Sequence, residues 1–231
     1  MTDFSHVETY IFDLDNTLYP ADCHLFKQID ARMTRFIEET LLLPQEQARV
    51  LQKKYYAVYG TTLSGLMIEH DVKPHDFMDY VHDIDLSPVD ENAALRTAIE
   101  GLPGKRYVFT NGSVRHAENV AGKIGILDLF DGIFDIEQAD FRPKPHLETY
   151  QKFTERFGIT PALSAMFEDM PENLKTAHDM GKTTVLVQSE AAWFADEPAD
   201  KRPARPGEHF DHVHHVTQDL TSFLSSLKTA A

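Results

Sequence analysis

Cysteine and basic residues are scarce in this chain of 231 residues, and each scarcity excludes a class of protein. Cys23 is the single cysteine, so no intrachain disulfide can form, and a reducing compartment is the expected setting. The 22 lysines and arginines are outnumbered by 37 acidic residues, which gives a formal net charge of −15. This balance argues against a nucleic acid polymer or an anionic membrane surface as a partner, because both attract basic surfaces.

Long apolar runs are also missing. No window approaches the roughly 18 apolar residues that a membrane span needs. Residues 1–6 contain an acid and neither a basic segment nor an apolar run, which argues against a signal peptide. With 42% hydrophobic and 26% charged residues, the composition is that of an ordinary globular chain. We therefore expect a cytoplasmic protein built as one large domain or as a core with an inserted subdomain.

Two carboxylates follow the first predicted strand. Residues 10–12 (Tyr-Ile-Phe) are β-branched and aromatic, as is typical of a strand, whereas residues 15–17 (Asp-Asn-Thr) are typical of a turn. The strand therefore delivers Asp13 and Asp15 to its carboxyl end, where open parallel sheets bind ligands. Like charges this close favour a neutralising cation such as Mg²⁺, although two solvated acids in a turn give the same pattern.

The apolar pattern after this strand is helical as far as residue 85. A stripe that begins at Leu25 and a second stripe that follows Pro44 both have helical spacing, and proline suits the first position of a helix. Strand patterns are absent from this segment. The predicted boundaries are 1–18 and 86–231 for the core and 19–85 for a helical cap.

Strand signals then alternate with helices. The further strands are predicted at 106–110, 132–136, 165–169, 183–187 and, more briefly, near 214–217. Repeated β-α-β units imply a parallel sheet with right-handed crossovers. The predicted fold class is therefore α/β, a Rossmann-like parallel sheet with an inserted all-α cap. Residues 189–210 are rich in proline and charge and are predicted to form a surface loop.

Polar groups follow several of these strands. They are Thr110, Asn111 and Gly112 after the second strand, Lys144 after the third, and Glu168 and Asp169 at the end of the fourth. The carboxyl ends of parallel strands share one edge, so these groups are expected to meet the first two acids. Singly, each has an ordinary alternative as a turn, a helix cap or a solvated lysine. Jointly, they can hold a hard cation and a phosphate group.

Taken in order, these motifs resemble those of the haloacid dehalogenase superfamily of phosphohydrolases. The matching segments are 12–19 (Phe-Asp-Leu-Asp-Asn-Thr-Leu-Tyr), 109–113 (Phe-Thr-Asn-Gly-Ser), 144–145 (Lys-Pro) and 167–173 (Phe-Glu-Asp-Met-Pro-Glu-Asn). The helical insertion occupies the position of that superfamily's C1 cap, so the resemblance extends over essentially the whole chain. The first motif and the tyrosine-rich segment 55–66 resemble the pyrimidine 5′-nucleotidase branch. Phosphatases of sugar phosphates and phosphoglycolate more often carry glycine at the position of Asn16.

The resemblance implies a role for each residue. Asp13 would attack phosphorus and form an aspartyl-phosphate, and Asp15 would protonate the leaving oxygen and later deprotonate water. The implied Mg²⁺ ligands are Asp13, the backbone carbonyl of Asp15 and Asp169, with Glu168 in support. The implied phosphate contacts are Thr110, Asn111, Gly112 and Lys144. Arg142 is a further candidate for contacting phosphate or sugar, with a surface salt bridge as the alternative.

The expected reaction is Mg²⁺-dependent hydrolysis of a small phosphomonoester. Asp15 favours phosphate esters over haloacids, because hydrolytic dehalogenation leaves no alkoxide to protonate. The resemblance implies a pyrimidine nucleoside 5′-monophosphate as substrate. Sugar phosphates or phosphoglycolate, and a non-catalytic phosphate-binding regulator, are the alternatives.

Two further clusters have structural interpretations. The tyrosines Tyr55, Tyr56 and Tyr59 could stack on a base, but such a stripe more often packs in a core. The histidines at 209, 212, 214 and 215 lack an accompanying cysteine, and His214 and His215 would alternate to opposite faces of a strand. We interpret these histidines as loop and strand residues.

Overall fold

A parallel sheet forms the centre of the fold. The structure is a computed structural model that describes residues 2–191 and 202–229. Within these residues the six strands are β1 (Thr9–Phe12), β2 (Lys105–Phe109), β3 (Gly132–Phe134), β4 (Ser164–Glu168), β5 (Thr183–Val187) and β6 (His215–Thr217). They are ordered β3-β2-β1-β4-β5-β6, and every pairing is parallel. The predicted α/β class is confirmed.

The central strand, β1, is buried on both faces. Tyr10, Ile11 and Phe12 are all 0% exposed, which explains why this strand is a continuous apolar run. On one face, the ring of Phe12 stacks on that of Phe167 at 4.8 Å, and on the other face Ile11 packs in a second cluster. Each buried side chain contributes on the order of 2 kcal/mol. This packing fixes the residues that follow the strand.

Four α-helices occupy the predicted insertion between β1 and residue 85: α1 (Leu25–Leu41), α2 (Gln45–Tyr59), α3 (Thr62–His70) and α4 (Pro74–Val81). They enclose an apolar cluster of their own, which includes Ile37, Tyr55 and Leu66. Tyr55 is 5% exposed and packs in this core, whereas Tyr56 lines a cavity that faces the sheet. The inserted all-α cap of the predicted fold is therefore present.

The remaining helices cover the sheet. They are α5 (Ala93–Glu100), α6 (Val114–Ile124), α7 (Leu147–Phe157), α8 (Pro171–Asp179) and α9 (Leu220–Ser225). Helices α5, α6 and α9 contribute to the apolar cluster on the Phe12 face, and α7 and α8 contribute to the cluster on the Ile11 face. None of the helices in the described ranges has the length and apolar character to cross a membrane.

The predicted surface loop at 189–210 is described only in part, because residues 192–201 lie outside the described residues. Beyond them, the Ala204 amide donates to the Asp169 carbonyl at 3.0 Å, which ties this segment to the end of β4. The histidines nearby make hydrogen bonds within the fold. The His212 ring binds the Pro171 carbonyl at 2.8 Å, and the His214 ring binds the Thr184 hydroxyl at 2.8 Å.

Lys182 is a buried lysine at the amino edge of the sheet, opposite the strand ends that carry the acids. Its side chain is 1% exposed, and burial lowers its pKa to about 8. Its ammonium lies 3.4 Å from the Ser164 hydroxyl, and within the described residues no carboxylate pairs with it. We expect Lys182→Met to raise the free energy of unfolding at pH 7 by up to about 3 kcal/mol, because a pKa lowered by burial is a penalty on the charged form.

The pH dependence of this effect has a definite sign. The native protein releases the Lys182 proton at about pH 8, whereas the unfolded chain keeps it to about pH 10.4. The unfolded state therefore binds more protons in this window, and the wild type gains stability as the pH rises. Urea unfolding should show that the free energy of unfolding of Lys182→Met exceeds that of the wild type at pH 7, and that this difference falls to less than about 1 kcal/mol at pH 10. Lys175→Met, at an exposed lysine, is the matched control and should show no such trend.

Candidate active site

A cavity of about 230 Å³ lies between the carboxyl ends of the strands and the helical insertion. The predicted site residues that line it are Asp13, Asp15, Asn111, Gly112, Lys144, Glu168 and Asp169. Side chains of α1 to α4, among them Met33, Tyr56 and Phe77, form the opposite wall. Two predicted residues, Thr110 and Arg142, are not part of its lining. The structure thus brings together seven of the nine residues that the sequence singled out.

The turn after β1 separates the two aspartates. The Asp13 amide donates to the Phe167 carbonyl at 2.9 Å, so Asp13 is still held by the β1–β4 ladder. Asp15 lies on the turn, and Asn16 after it has a φ of 60°. Asparagine adopts this left-handed conformation more readily than most residues. Asp13 is therefore fixed by the sheet, whereas Asp15 depends on its own side-chain contacts.

Lys144 is the buried cation of the site. Its ammonium donates to Asp13 Oδ1 at 2.7 Å, to Glu168 Oε2 at 2.7 Å and to the Phe109 carbonyl at 2.9 Å, which uses all three protons. Although burial acts to lower it, the charges of Asp13 and Glu168 raise the pKa of Lys144. Asn111 holds the backbone of this loop, because its side chain accepts from the Lys144 amide at 2.7 Å and donates to the Lys144 carbonyl at 3.3 Å.

Three buried carboxylates lie next to this lysine. Oxygens of Asp13, Glu168 and Asp169 are all within 4.8 Å of one another, and this is the only such group of possible metal ligands within residues 2–191 and 202–229. Burial and the charge of Glu168 raise the pKa of both Asp13 and Asp169. One ammonium cannot neutralise three carboxylates, and hard oxygen ligands suit a divalent cation such as Mg²⁺. The residues present therefore fit a bound Mg²⁺.

Thr110 and Arg142 make their described contacts away from the lining of the cavity. The Thr110 hydroxyl is buried and accepts from the Gly112 amide at 2.9 Å, so it shapes the turn after β2. Arg142 is half exposed and forms an ion pair with Glu148 at 3.2 Å, which was the alternative interpretation. Neither side chain faces the cavity.

Two partners of Asp15 were missed by the sequence analysis. The Tyr19 hydroxyl donates to Asp15 Oδ1 at 2.6 Å, and His116 Nε2 lies 2.9 Å from the same oxygen. Burial acts to raise the pKa of Asp15, but the interactions with His116 and Tyr19 outweigh it and lower that pKa. The available signal was the position of His116 in the first turn of α6, directly after a strand that ends in site residues.

The family of the chain is established by its match to a known group of enzymes. Residues 7–181 match the haloacid dehalogenase-like hydrolases, so the chain belongs to that family, and the resemblance drawn from the motifs is confirmed. A curated relative is Phosphate metabolism protein 8 of Saccharomyces cerevisiae, which is 28% identical over 209 residues. The match covers 82% of this chain and 64% of the relative, so the chain spans less than two thirds of the relative's length.

Solved structures with this fold include both phosphatases and dehalogenases. The HAD phosphatase of Thermococcus onnurineus matches with a TM-score of 0.60 at 13% identity, over 94% of this chain and 96% of that one. The L-2-haloacid dehalogenase of Xanthobacter autotrophicus matches with a TM-score of 0.53 at 16% identity, over 94% and 97%. At these identities the likeness establishes the fold, and the choice of reaction depends on the site residues.

Proposed function

We propose that this protein is a Mg²⁺-dependent phosphomonoesterase that forms an aspartyl-phosphate on Asp13. The observation that carries the proposal is the contact between Asp13 and Lys144, next to two further buried acids and open to the cavity. The nucleophile of such a reaction needs a fixed position and a site that accepts the negative charge of phosphate. The sheet fixes the position of Asp13. Lys144, together with a bound cation, would supply the positive charge that phosphate needs.

The two aspartates divide the chemistry. Asp13 attacks phosphorus while Asp15 gives its proton to the leaving alcohol oxygen. Asp15 then takes a proton from the water that hydrolyses the aspartyl-phosphate, which restores both residues. Asp13, the Asp15 carbonyl and Asp169, with Glu168 in support, would hold Mg²⁺, which would supply positive charge to the bound phosphate.

The phosphate contacts are proposed on the cavity side of the turn after β2. Asn111 and Gly112 line the cavity and follow the strand next to β1. Lys144 stabilises the charge that develops during transfer. Thr110 supports this turn through its bond to the Gly112 amide and is proposed as a positioning residue.

Asp15 is the reason for proposing a phosphate ester as substrate. A halide leaves without a proton, whereas an alkoxide needs one, and Asp15 supplies an acid within the cavity. This argument is independent of the fold, which phosphatases and dehalogenases share.

The helical insertion is proposed to select the substrate. Residues 19–85 would move as a cap that closes over the bound phosphate ester and excludes water. Its wall combines apolar side chains with the aromatic rings of Phe26, Tyr56 and Phe77, which suits a flat, partly apolar group. A pyrimidine nucleoside 5′-monophosphate meets this description, and the single cysteine favours a reducing, cytoplasmic setting.

A phosphate-release screen tests the proposal. With Mg²⁺, UMP and CMP should be hydrolysed with a kcat/KM about 10-fold or more above that of sugar phosphates and phosphoglycolate, a difference that a few apolar contacts can supply. EDTA should abolish release from every substrate, and added Mg²⁺ should restore it. Equal rates for nucleotides and sugar phosphates would reject the nucleotidase assignment alone. Failure to hydrolyse any ester, including p-nitrophenyl phosphate, would leave the non-catalytic regulator.

A further inference from the structure

One oxygen of the Asp15 carboxylate is occupied by two donors. Oδ1 accepts from the Tyr19 hydroxyl at 2.6 Å and lies 2.9 Å from His116 Nε2. Because Oδ1 already accepts from the Tyr19 hydroxyl, it serves as an acceptor, and His116 donates to it through Nε2–H in this contact. Both good acceptor directions of Oδ1 are then filled. Within residues 2–191 and 202–229, both of these donors bind Oδ1, and Oδ2 has no comparable hydrogen bond.

We propose that His116 is a positioning residue that, together with Tyr19, engages Oδ1 of Asp15 and thereby leaves Oδ2 as the oxygen turned to proton transfer with the substrate. The inference rests on the proposed phosphomonoesterase function. A proton placed on Oδ2 passes to the leaving oxygen, and Oδ2 later takes a proton from water, so the proton balance closes over one turnover.

The position of His116 is fixed by its surroundings. Its side chain is 1% exposed and its ring stacks on that of His82, with ring centres 4.3 Å apart and planes 7° apart. His82 Nδ1 lies 3.0 Å from the Ser113 hydroxyl, and the same hydroxyl accepts from the His116 amide at 3.3 Å. A Cβ atom at Gly112 would approach the His116 ring to 3.2 Å. The ring is thus enclosed on several sides and cannot turn away from Asp15.

The stack also connects the acid to the helical insertion. His82 directly follows α4, where the chain returns from the insertion to the sheet, and it lines the same cavity. The His116 ring that contacts Asp15 therefore packs against His82, the residue that directly follows the last helix of the insertion. A histidine placed there only for packing would need no bond to the acid.

Substrates with different leaving groups can show whether His116 positions Asp15 or only packs in the core. A strongly basic alkoxide needs the proton of Asp15, whereas a weakly basic p-nitrophenolate leaves largely without it. For a reaction through an aspartyl-phosphate, kcat/KM covers the steps up to release of the alcohol, so the later hydrolysis does not blur the comparison. Loss of the His116 contact should therefore lower kcat/KM for an alkyl phosphate, but scarcely for p-nitrophenyl phosphate.

The experiment compares kcat/KM for UMP, an alkyl phosphate, with that for p-nitrophenyl phosphate in the Mg²⁺-loaded protein. We expect His116→Leu to lower kcat/KM by about 100-fold for UMP and by less than about 5-fold for p-nitrophenyl phosphate. His116→Gln, which keeps a donor near the position of Nε2, should recover most of the UMP activity. His178→Leu, at a partly exposed histidine outside the cavity, is the control and should match the wild type.

Tyr19→Phe provides a second route if His116→Leu does not fold. It removes the other donor to Oδ1 while keeping a buried ring, and it should show the same preferential loss with UMP. Equal losses on both substrates, or none on either, would overturn the inference. If the Asp13→Asn variant kept the phosphate release of the wild type, the proposed function would instead be overturned. The two failures are therefore distinguishable.

Discussion

Asp13→Asn is expected to lower phosphate release by about 10⁵-fold or more, because the amide cannot form the covalent intermediate. The N–H groups proposed to bind phosphate and most of the oxygens proposed to bind the cation would remain, so substrate binding should survive better than turnover. Phosphate release from p-nitrophenyl phosphate in excess Mg²⁺ measures the loss. This substrate needs little acid catalysis, which confines the effect to the nucleophile.

The same variant should stay folded. Its amide oxygen can still accept from Lys144, which also keeps its bond to Glu168. One charge fewer also reduces repulsion among the three acids. Circular dichroism and thermal unfolding should therefore resemble those of the wild type. Asp179→Asn, at a half-exposed aspartate on α8, is the matched control and should retain full activity. Turnover by a folded Asp13→Asn variant would contradict the nucleophile assignment.

Lys144→Met is expected to lower the free energy of unfolding by about 3–5 kcal/mol in EDTA. The wild-type Lys144 is 3% exposed, and its ammonium neutralises part of a group of three buried carboxylates. Removing it leaves these acids without their cation at a position that water scarcely reaches. Urea unfolding at neutral pH measures the change, and activity should fall as well because phosphate loses the same positive charge.

Added Mg²⁺ should recover part of this stability. A cation that binds only the folded state stabilises that state by mass action. In Lys144→Met the cation meets a more negative group of acids than in the wild type. The rise in melting temperature on adding Mg²⁺ should therefore be larger for Lys144→Met than for the wild type. Lys152→Met, at a partly exposed surface lysine, should behave as the wild type does. A variant as stable as the wild type in EDTA would contradict the electrostatic role of Lys144.

The sheet and most of the site could be predicted from the sequence because their signals are local. The buried strands are short apolar runs, and the predicted site residues other than Lys144 and Arg142 lie at the end of a strand or within three positions after it. The third strand was predicted at 132–136 but ends at Phe134. Asp135 leaves the ladder because its carboxylate accepts from the amides of Val114 and Gln138. Helix α5, capped by Asn92, was not predicted at all.

The missed features depend on contacts between distant parts of the chain. His116 and Asp15 are about 100 residues apart, and although His116 lies in the first turn after a strand that ends in site residues, that position does not show that its ring meets the acid. The position of Arg142 is likewise decided by a partner, Glu148, which lies on the following helix α7. Sequence reasoning placed residues at the edge of the sheet, but it could not decide which way a side chain turns there.

The order of the strands has a consequence for how the protein acquires activity during synthesis. Thr9 in β1 pairs with Lys105 in β2 and with Ser164 in β4, so the strand that precedes the proposed nucleophile pairs with strands that are synthesised much later. Pairings this distant in sequence form slowly. The helices of the insertion contact one another locally and can associate first. A chain that ends before residue 164 can hold Asp13 but lacks Glu168 and Asp169, so no such fragment can be an active enzyme.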